Sequence, residues 1–323
     1  MELFVGHNSA LEYWRKRRKL PAKSAQRRYP VGLPEESPAV EHLLYSGLTL
    51  PIHIVVGKPG ARRLTRIVRS HVFTGETPVG CFMNIGRSFT VSSPEFCFLQ
   101  MASQLTLIEL IELGYEFCGV YSLPLPYDKD VPEKGFYDRQ QLTSTRKLRE
   151  FLDIMPGTKG HQKAMRALCY LQDGSASPME TKLTMFLTLP YKQGGYGFTM
   201  PELNHRITLP KATRRYFSKN YYVCDLFWPD TKVAVEYDSD RFHTGSERIA
   251  NDSVKRNALA LAGTRVISVT RRQLYKSSEL EGAVRTIAMY MGRRLFSKKS
   301  DFPTAHRELR RQLLLGFERY QQG

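Results

Sequence analysis

Hydrophobic and polar residues alternate along residues 222–240 in the pattern that is typical of a β-hairpin. Apolar and aromatic residues flank a Pro-Asp-Thr turn, and the second arm is rich in valine. Counting outward from the turn places Leu226 opposite Val235 and Asp225 opposite Glu236. The sequence therefore predicts a hairpin with one apolar face and one acidic face.

Three carboxylates share a face of this hairpin, because side chains alternate across a strand. They belong to Asp225, Glu236 and Asp238. The core-facing set consists of Leu226, Trp228, Val233, Val235 and Tyr237. Since like charges directly opposite each other destabilise a sheet, a hard divalent cation, Mg²⁺ or Mn²⁺, is expected to compensate them.

The upstream part of the chain predicts an α/β or α+β domain. Strands and helices are expected at 51–56, 67–73, 89–91, 145–155 and 159–171. Between them, one long apolar helix is expected to begin with Ser92 as its cap and to end near Gly114. His53 and His71 lie on predicted strands and are interpreted as isolated structural histidines.

The first residues predict a short helix followed by a basic tail, over 1–28. Ser9 and Glu12 have the spacing of a capping box. The basic run Arg15–Lys19 is a candidate phosphate contact, and a solvated basic arm explains it equally well.

Around the hairpin, the order of elements predicts a mixed sheet flanked by helices. The expected elements are a helix at 177–189, a strand at 203–209, the hairpin, a loop at 240–245, a helix at 248–262 and a strand at 264–270. The last crossover has the right length to return the chain parallel to the sheet. Basic helices are expected at 278–295 and 304–320.

The charge of the chain favours a polyanionic partner. Its 323 residues carry a formal net charge of +17, and 41% of them are hydrophobic, which is enough for sizeable cores. No apolar run has the length of a membrane span, so a cytoplasmic protein is expected. The five scattered cysteines predict neither a disulfide framework nor a zinc site. The oligomeric state is left open.

Six basic residues are candidate nucleic-acid contacts, because they cluster near or after the hairpin. They are Arg214, Arg215, Lys219, Arg256, Arg271 and Arg272.

The acidic hairpin and its neighbours resemble a known family. The segments SPMET, CDLFWPDTKVAVEYDS and DSVKRNALALAGTRVISVT are similar to the PD-(D/E)XK nuclease core, and more closely to the Vsr-like endonuclease-related domain. This resemblance covers residues 177–275. The segments LPIHIVVGKPGARR, TVSSPEFCFLQMA and LTSTRKLREFL, within residues 1–172, resemble AbiEi-type antitoxin or transcriptional-regulator proteins.

The nuclease resemblance implies roles for individual residues. Asp225 matches the central metal-binding aspartate, and Glu236 matches the acidic residue of the (D/E)XK element. Asp238 stands where the wider superfamily has lysine, so Lys255 on the following helix is a candidate for the missing cation. His243 lies where Vsr-type nucleases place an active-site histidine. The implied metal ligands are Asp225, Glu236, Asp238 and Glu180, although a capping box with Ser177 explains Glu180 as well.

The domain and function predictions follow from these two resemblances. An N-terminal helix and basic arm (1–45) precedes a regulator-like region (46–172), a Vsr-like nuclease domain (173–300) and a basic C-terminal helix (301–323). The implied activity is metal-dependent endonucleolytic hydrolysis of phosphodiester bonds in DNA, in phage defence or DNA repair. A non-catalytic DNA-binding regulator or antitoxin with a degenerate nuclease fold, and an RNase, are the alternatives.

Overall fold

The computed structural model describes residues 3–19, 21, 32–36, 47–86, 89–124, 137–238, 246–295 and 301–315. The chain is an α/β protein that divides into two compact units, Met1–Leu171 and Gln172–Gly323. Each unit is built on one mixed sheet, of five strands in the first and four in the second. About ten helices flank the two sheets in the described part of the chain.

The first unit contains a five-stranded sheet in the order β3-β2-β1-β5-β4. Its strands are β1 (Leu3–Val5), β2 (Ile52–Val56), β3 (Val68–Val72), β4 (Phe82–Gly86) and β5 (Phe89–Ser92). β2 pairs parallel with β3 and antiparallel with β1, while β5 pairs parallel with β1 and antiparallel with β4. The strands expected at 51–56, 67–73 and 89–91 are confirmed, whereas β1 and β4 were not anticipated.

The N-terminal helix α1 (His7–Arg15) does not use the expected capping box. Its N-cap is Gly6, and the Ser9 hydroxyl instead accepts a hydrogen bond from the His53 amide at 2.9 Å. The Glu12 carboxylate accepts from the amide of Thr49 at 3.0 Å. Both side chains therefore tie the helix to other parts of the unit and do not cap it, so the capping-box prediction was wrong.

The long helix expected after Ser92 is divided into two helices, α2 (Pro94–Ala102) and α3 (Leu107–Phe117). Ser93, and not Ser92, caps the first, while Thr106 begins the second with a complete capping box. Gly114 lies inside α3 and does not end it. An added Cβ at this position would come within 2.4 Å of the Leu171 side chain. The close approach of the two residues explains the glycine. The later helices α4 (Thr145–Asp153) and α5 (His161–Leu168) confirm the sequence prediction.

The second unit contains a four-stranded sheet in the order β6-β7-β8-β9. Its strands are β6 (Glu202–Thr208), β7 (Tyr221–Trp228), β8 (Val233–Asp238) and β9 (Arg265–Thr270). The first three pair antiparallel, and β9 returns parallel to β8, which confirms the predicted crossover. The helices are α6 (Pro178–Thr188), α7 (Ser246–Leu261), α8 (Arg271–Tyr275), α9 (Ser277–Tyr290) and α10 (Phe302–Arg310), followed by the π-helical turn Arg311–Leu315.

The hairpin has the predicted register near its turn. Leu226 pairs with Val235 and Trp228 with Val233. The expected backbone pair of Asp225 with Glu236 is not formed, since the ladder stops at Leu226. The hairpin therefore opens at the level of the carboxylates.

Three predictions fall on residues that the structure does not describe. One is most of the basic tail expected after the first helix, at 20 and 22–28. The expected loop at 240–245, with His243, lies outside the described residues, as does the end of the C-terminal helix beyond 315. Among the described helices, none combines the length and the apolar character needed to cross a membrane.

Candidate active site

The candidate site is formed by side chains from β7, β8, α6 and α7. Phe227 and Ala234 of the hairpin pack with Ala258 and Leu259 of α7 in one buried cluster. Lys255 lies one helical turn before these two helical residues and on the same side of α7. The packing of α7 on the hairpin therefore brings the Lys255 side chain to the acidic edge of β8.

Glu236 and Lys255 form the central contact. The Lys255 Nζ atom donates to Glu236 Oε2 at 2.7 Å, and the two side chains are only 26% and 18% exposed. The second carboxylate oxygen, Oε1, is buried and has no hydrogen-bond partner among the described residues. The Cys224 thiol also interacts with the Glu236 side chain, but a thiol is a weak donor and forms no close hydrogen bond to Oε1. Because an unmet buried acceptor is costly, this oxygen is a candidate position for a further ligand.

Asp225 lies at a break in both of its strand pairings. The β6–β7 ladder pairs Leu203 with Leu226 and His205 with Cys224, and passes over Asp225. Its Oδ2 atom instead accepts a hydrogen bond from the Tyr237 amide at 2.7 Å. The Asp225 side chain thus accepts a hydrogen bond from the backbone of β8, and this bond holds its carboxylate near Glu236.

The electrostatic environment of Asp225 opposes its ionisation. Burial, and then the charges of Glu180 and Glu236, raise the pKa of Asp225 from its ordinary value of 3.8 to about 7, although the Tyr237 amide and Lys255 act in the opposite direction. Burial also raises the pKa of Glu180, to which the charge of Glu236 contributes. Three acidic groups therefore act on one another beside one lysine.

Glu180 is held by hydrogen bonds at the start of α6. Ser177 caps the helix and donates its hydroxyl to Glu180 Oε1 at 2.9 Å, while the Ala176 amide donates to Oε2 at 3.0 Å. Asn204 of β6 donates its Nδ2 to the same Oε2 at 2.9 Å. Ser177 caps the helix as predicted, but the Glu180 carboxylate accepts from the Ala176 amide in place of the Ser177 amide, so the reciprocal capping box is not formed. The charge of Glu180 still acts on Asp225 of the hairpin.

Asp238 stands apart from this group, and His243 cannot be placed in it or outside it. Asp238 is exposed at the end of β8, where it pairs with Thr270 of β9, and its charge is not among those that shift Asp225 or Glu180. His243 lies outside the described residues. The proposed roles of both remain predictions.

The residues present fit a magnesium ion held in the manner of phosphate-transfer sites. Within the described ranges, no group of three or more His, Cys, Asp or Glu side chains is arranged to hold a metal ion. Mg²⁺ commonly keeps several waters and uses only one or two carboxylates together with substrate phosphate. Asp225 and Glu236 supply such a pair of carboxylates. Glu236 Oε1, which accepts no hydrogen bond in the described part of the chain, is the oxygen available to bind a metal ion.

The six predicted nucleic-acid contacts lie on three different elements of the second unit. Arg214 and Arg215 lie in the short 3-10 turn Arg214–Tyr216 between β6 and β7, with exposed Lys219 after it. Arg256 is exposed on α7. The last two, Arg271 and Arg272, are exposed on α8, where Arg272 pairs with Glu279.

Aromatic residues beside the 3-10 turn were not anticipated from the sequence. Tyr216 is 65% exposed, and Arg215 lies over its ring at 4.8 Å from the centroid. Tyr221 is 38% exposed, and Arg206 lies over it at 3.4 Å. The presence of arginine at 206, 214 and 215 together with tyrosine at 216 and 221 was the available signal.

Cys224 and Asn204 are further residues of the site that the sequence did not indicate. Burial, followed by the charge of Glu236, raises the pKa of the Cys224 thiol, so this cysteine stays neutral beside the carboxylates. Asn204 reaches Glu180 from a strand position with a φ of 48°, which no local sequence pattern revealed.

Comparisons with protein-family models, with curated proteins and with solved structures find no match for this chain. The interpretation of the site therefore depends on its own geometry.

Proposed function

We propose that the second unit hydrolyses phosphodiester bonds in DNA with Mg²⁺ or Mn²⁺, in a core of the Vsr-like, PD-(D/E)XK type. The observation that carries the proposal is the buried Glu236 carboxylate. One of its oxygens binds Lys255 at 2.7 Å and the other has no partner in the described part of the chain. Asp225 lies beside it with a raised pKa, which is the kind of perturbation found at functional sites.

The order of elements supports the nuclease-like core. An antiparallel hairpin carries Asp225 and Glu236, a helix follows it, and the next strand pairs parallel with β8. The sequence resemblance implies this order for a PD-(D/E)XK core, with an acid-bearing helix before it. Ser177-capped α6 with Glu180 occupies that position.

Each residue has a distinct task in the proposed reaction. Asp225 and Glu236 would hold the metal ion, which when bound supplies charge to polarise the phosphate and lowers the pKa of the attacking water. Lys255 keeps Glu236 in place and brings a positive charge toward the negative charge that develops on the phosphate. The Tyr237 amide fixes the orientation of Asp225.

The segment between β6 and β7, together with the strand residues that flank it, is the proposed DNA contact. Residues 203–224 contain five lysines or arginines and no aspartate or glutamate. They also expose Tyr216 and Tyr221 beside arginine side chains. Such a mixture of cations and aromatic rings suits a phosphate backbone with unstacked bases.

The first unit is proposed to serve as a regulator-like partner of the nuclease unit, as in the AbiEi-type proteins that its sequence resembles. That proposal assigns the whole chain to phage defence or DNA repair, and it rests on sequence resemblance alone.

The test is nicking of supercoiled plasmid by the full chain with Mg²⁺ or Mn²⁺. Wild type is expected to nick, whereas Glu236→Gln and Asp225→Asn are expected to lose roughly a hundredfold or more of the rate. Asp252→Asn is the matched control, because it removes an exposed acid from α7 and is expected to retain activity. An inactive wild type that binds DNA tightly without metal would favour the non-catalytic regulator.

Substrate class requires a second comparison. DNA and RNA of matched sequence are incubated with the wild type and with Glu236→Gln. Faster metal-dependent cleavage of DNA is expected, and a preference for RNA that also depends on Glu236 would reassign the protein as an RNase.

A further inference from the structure

The first unit contains a cavity of about 660 Å³ beside the edge strand β3, far in sequence from the carboxylate site. This volume is within the usual range for small-molecule sites, which is roughly 300–1,000 Å³. Polar and basic residues line much of it, including Arg62, Ser70, His71, Gln100 and Lys159. His7, at the start of α1, closes one side.

Two histidines of the lining, His7 and His71, form a cluster with buried His53, although His53 and His71 were predicted to be isolated. The His71 Nε2 atom lies 2.9 Å from His53 Nδ1, because β2 and β3 pair in parallel with Val55 opposite His71. The His7 ring stacks on the His71 ring with centroids 3.6 Å apart. The cluster thus joins two strands and a helix that are distant in the sequence.

His7 is held in an unusual conformation. Its φ is 51°, in the left-handed region that non-glycine residues rarely adopt, and it is the first residue of α1. Its amide donates to Gln100 Oε1 at 2.9 Å, and its Nδ1 lies 2.6 Å from Gln104 Nε2. Such strain persists where surrounding contacts enforce it, and it is concentrated at ligand sites.

The cavity is electropositive and has no internal counter-charge. No aspartate or glutamate lines it among the described residues. Arg62 and Lys159 are exposed at its rim, and neither forms an ion pair within the described part of the chain. Burial first, and then neighbouring positive groups, lower the pKa of His7 to about 2 and that of His71 to about 4.

We propose that this cavity binds the phosphate monoester of a ligand of mononucleotide size, with Arg62 and Lys159 neutralising the phosphate and His7 and His71 facing it. A phosphate supplies several acceptor oxygens, and the cavity offers cations and imidazoles, with no aspartate or glutamate among its described lining residues. The site is separate from the carboxylate site and does not depend on the nuclease proposal. A free nucleotide and the 5′-terminal phosphate of a DNA strand share this chemistry.

The experiment is calorimetric titration of the full chain with AMP, adenosine and inorganic phosphate. The test variant is Arg62→Ala with Lys159→Ala. The matched control is Arg63→Ala with Lys147→Ala, which removes two exposed positive charges of the same unit that do not line the cavity. AMP is expected to bind wild type and the control alike, and the test variant roughly tenfold to a hundredfold more weakly. Adenosine is expected to bind at least about tenfold more weakly than AMP.

A second pair of ligands distinguishes the two sources of phosphate. DNA oligonucleotides of one sequence, with either a 5′-phosphate or a 5′-hydroxyl, are compared on wild type and both double variants. A preference for the phosphorylated end that the test variant loses identifies a DNA terminus, and AMP binding without that preference identifies a free nucleotide. The proposal is overturned if the test variant and its control bind AMP equally, or if wild type binds neither AMP nor the phosphorylated end.

Discussion

Lys255 and Glu236 are joined by a 2.7 Å ion pair that uses only one of the two glutamate oxygens. The other oxygen remains buried without a partner among the described residues. Lysine in this position can both hold the carboxylate and compete with a metal ion for it. The two effects can be separated by experiment.

Lys255→Met is expected to lose cleavage while keeping the metal site. Removing the ammonium group frees Glu236 Oε2, so Mg²⁺ affinity is expected to stay equal or to rise. Plasmid nicking is expected to fall by roughly a hundredfold or more, because the positive charge facing the phosphate is lost. The measurements are nicking rates and the Mg²⁺-induced rise in Tm.

Glu236→Gln is the comparison for this variant. It is expected to lose both nicking and the Mg²⁺-induced rise in Tm, since a neutral amide is a weak ligand for a hard cation. If Lys255→Met also abolishes the rise in Tm, its role is structural and the catalytic assignment is wrong.

The pH dependence of stability provides a test of Asp225. Its folded pKa of about 7 lies above its unfolded value near 3.8, so the folded state binds more protons between these values and stability falls as pH rises from about 4 to about 7. Asp225→Asn is expected to remove most of that fall, which is on the order of a few kcal/mol at most. Mg²⁺ is expected to stabilise wild type more at high pH.

The two tryptophans of the chain make this measurement specific to each unit. Trp14 is fully buried in the first unit and Trp228 is 4% exposed in the second. In a Trp14→Phe background, Trp228 is the only tryptophan, so fluorescence reports the unfolding of the second unit, which contains Asp225. A stability of this unit that does not change between these pH values would contradict the raised pKa.

The histidine cluster is expected to respond to acid in the opposite sense. The pKa values of His53 and His71 are lowered to about 4, so between about pH 4 and pH 6.5 the unfolded chain binds more protons and stability falls as pH falls. Trp14 fluorescence in a Trp228→Phe background reports this unit. His71→Gln is expected to reduce the loss of stability of this unit between about pH 6.5 and pH 4. A loss equal to that of the wild type would contradict the assignment.

The segment between β6 and β7 is expected to contribute to DNA binding in two separable ways. Arg215→Ala with Lys219→Ala is expected to weaken binding and to reduce the slope of log K against log salt by roughly two. Tyr216→Ala is expected to weaken single-strand binding by about 1–3 kcal/mol without changing the slope. Lys147→Ala with Arg149→Ala, on α4, is the charge-matched control.

Fluorescence anisotropy across a salt series measures both quantities. Equal losses of affinity in the test pair and the control pair would show that only net charge matters, and would remove the segment from the proposed interface.

The hairpin was the most predictable part of the fold, because alternation and a turn fix the register locally. Leu226 and Val235 pair as counted from the sequence. The pattern also identified Asp225 and Glu236, and the nuclease resemblance added Lys255; the structure brings these three residues together. It missed the opening of the ladder at Asp225, because nothing in the hairpin sequence indicates that the Asp225 side chain accepts a hydrogen bond from the Tyr237 amide.

Contacts between distant segments were beyond the sequence. His7, His53 and His71 meet only because β1 places α1 beside the parallel pair β2–β3, and neither β1 nor that pairing has a local signal. The division of the long helix was missed for the opposite reason. Continuous apolar residues masked a strong local cap, formed by Thr106 with Glu109.

Asn204 gives the edge strand β6 a restricted tolerance for substitution. Its left-handed backbone lets its Nδ2 reach both the Gly174 carbonyl and Glu180 Oε2, each at 2.9 Å. A β-branched residue would suit an ordinary strand, but it disfavours this φ and cannot replace the amide. A library of substitutions across β6 should therefore accept change at exposed Glu202 and Thr208 while Asn204 stays nearly invariant. The site formed by Asp225, Glu236 and Glu180 thus limits the evolution of a strand that contributes none of these acids.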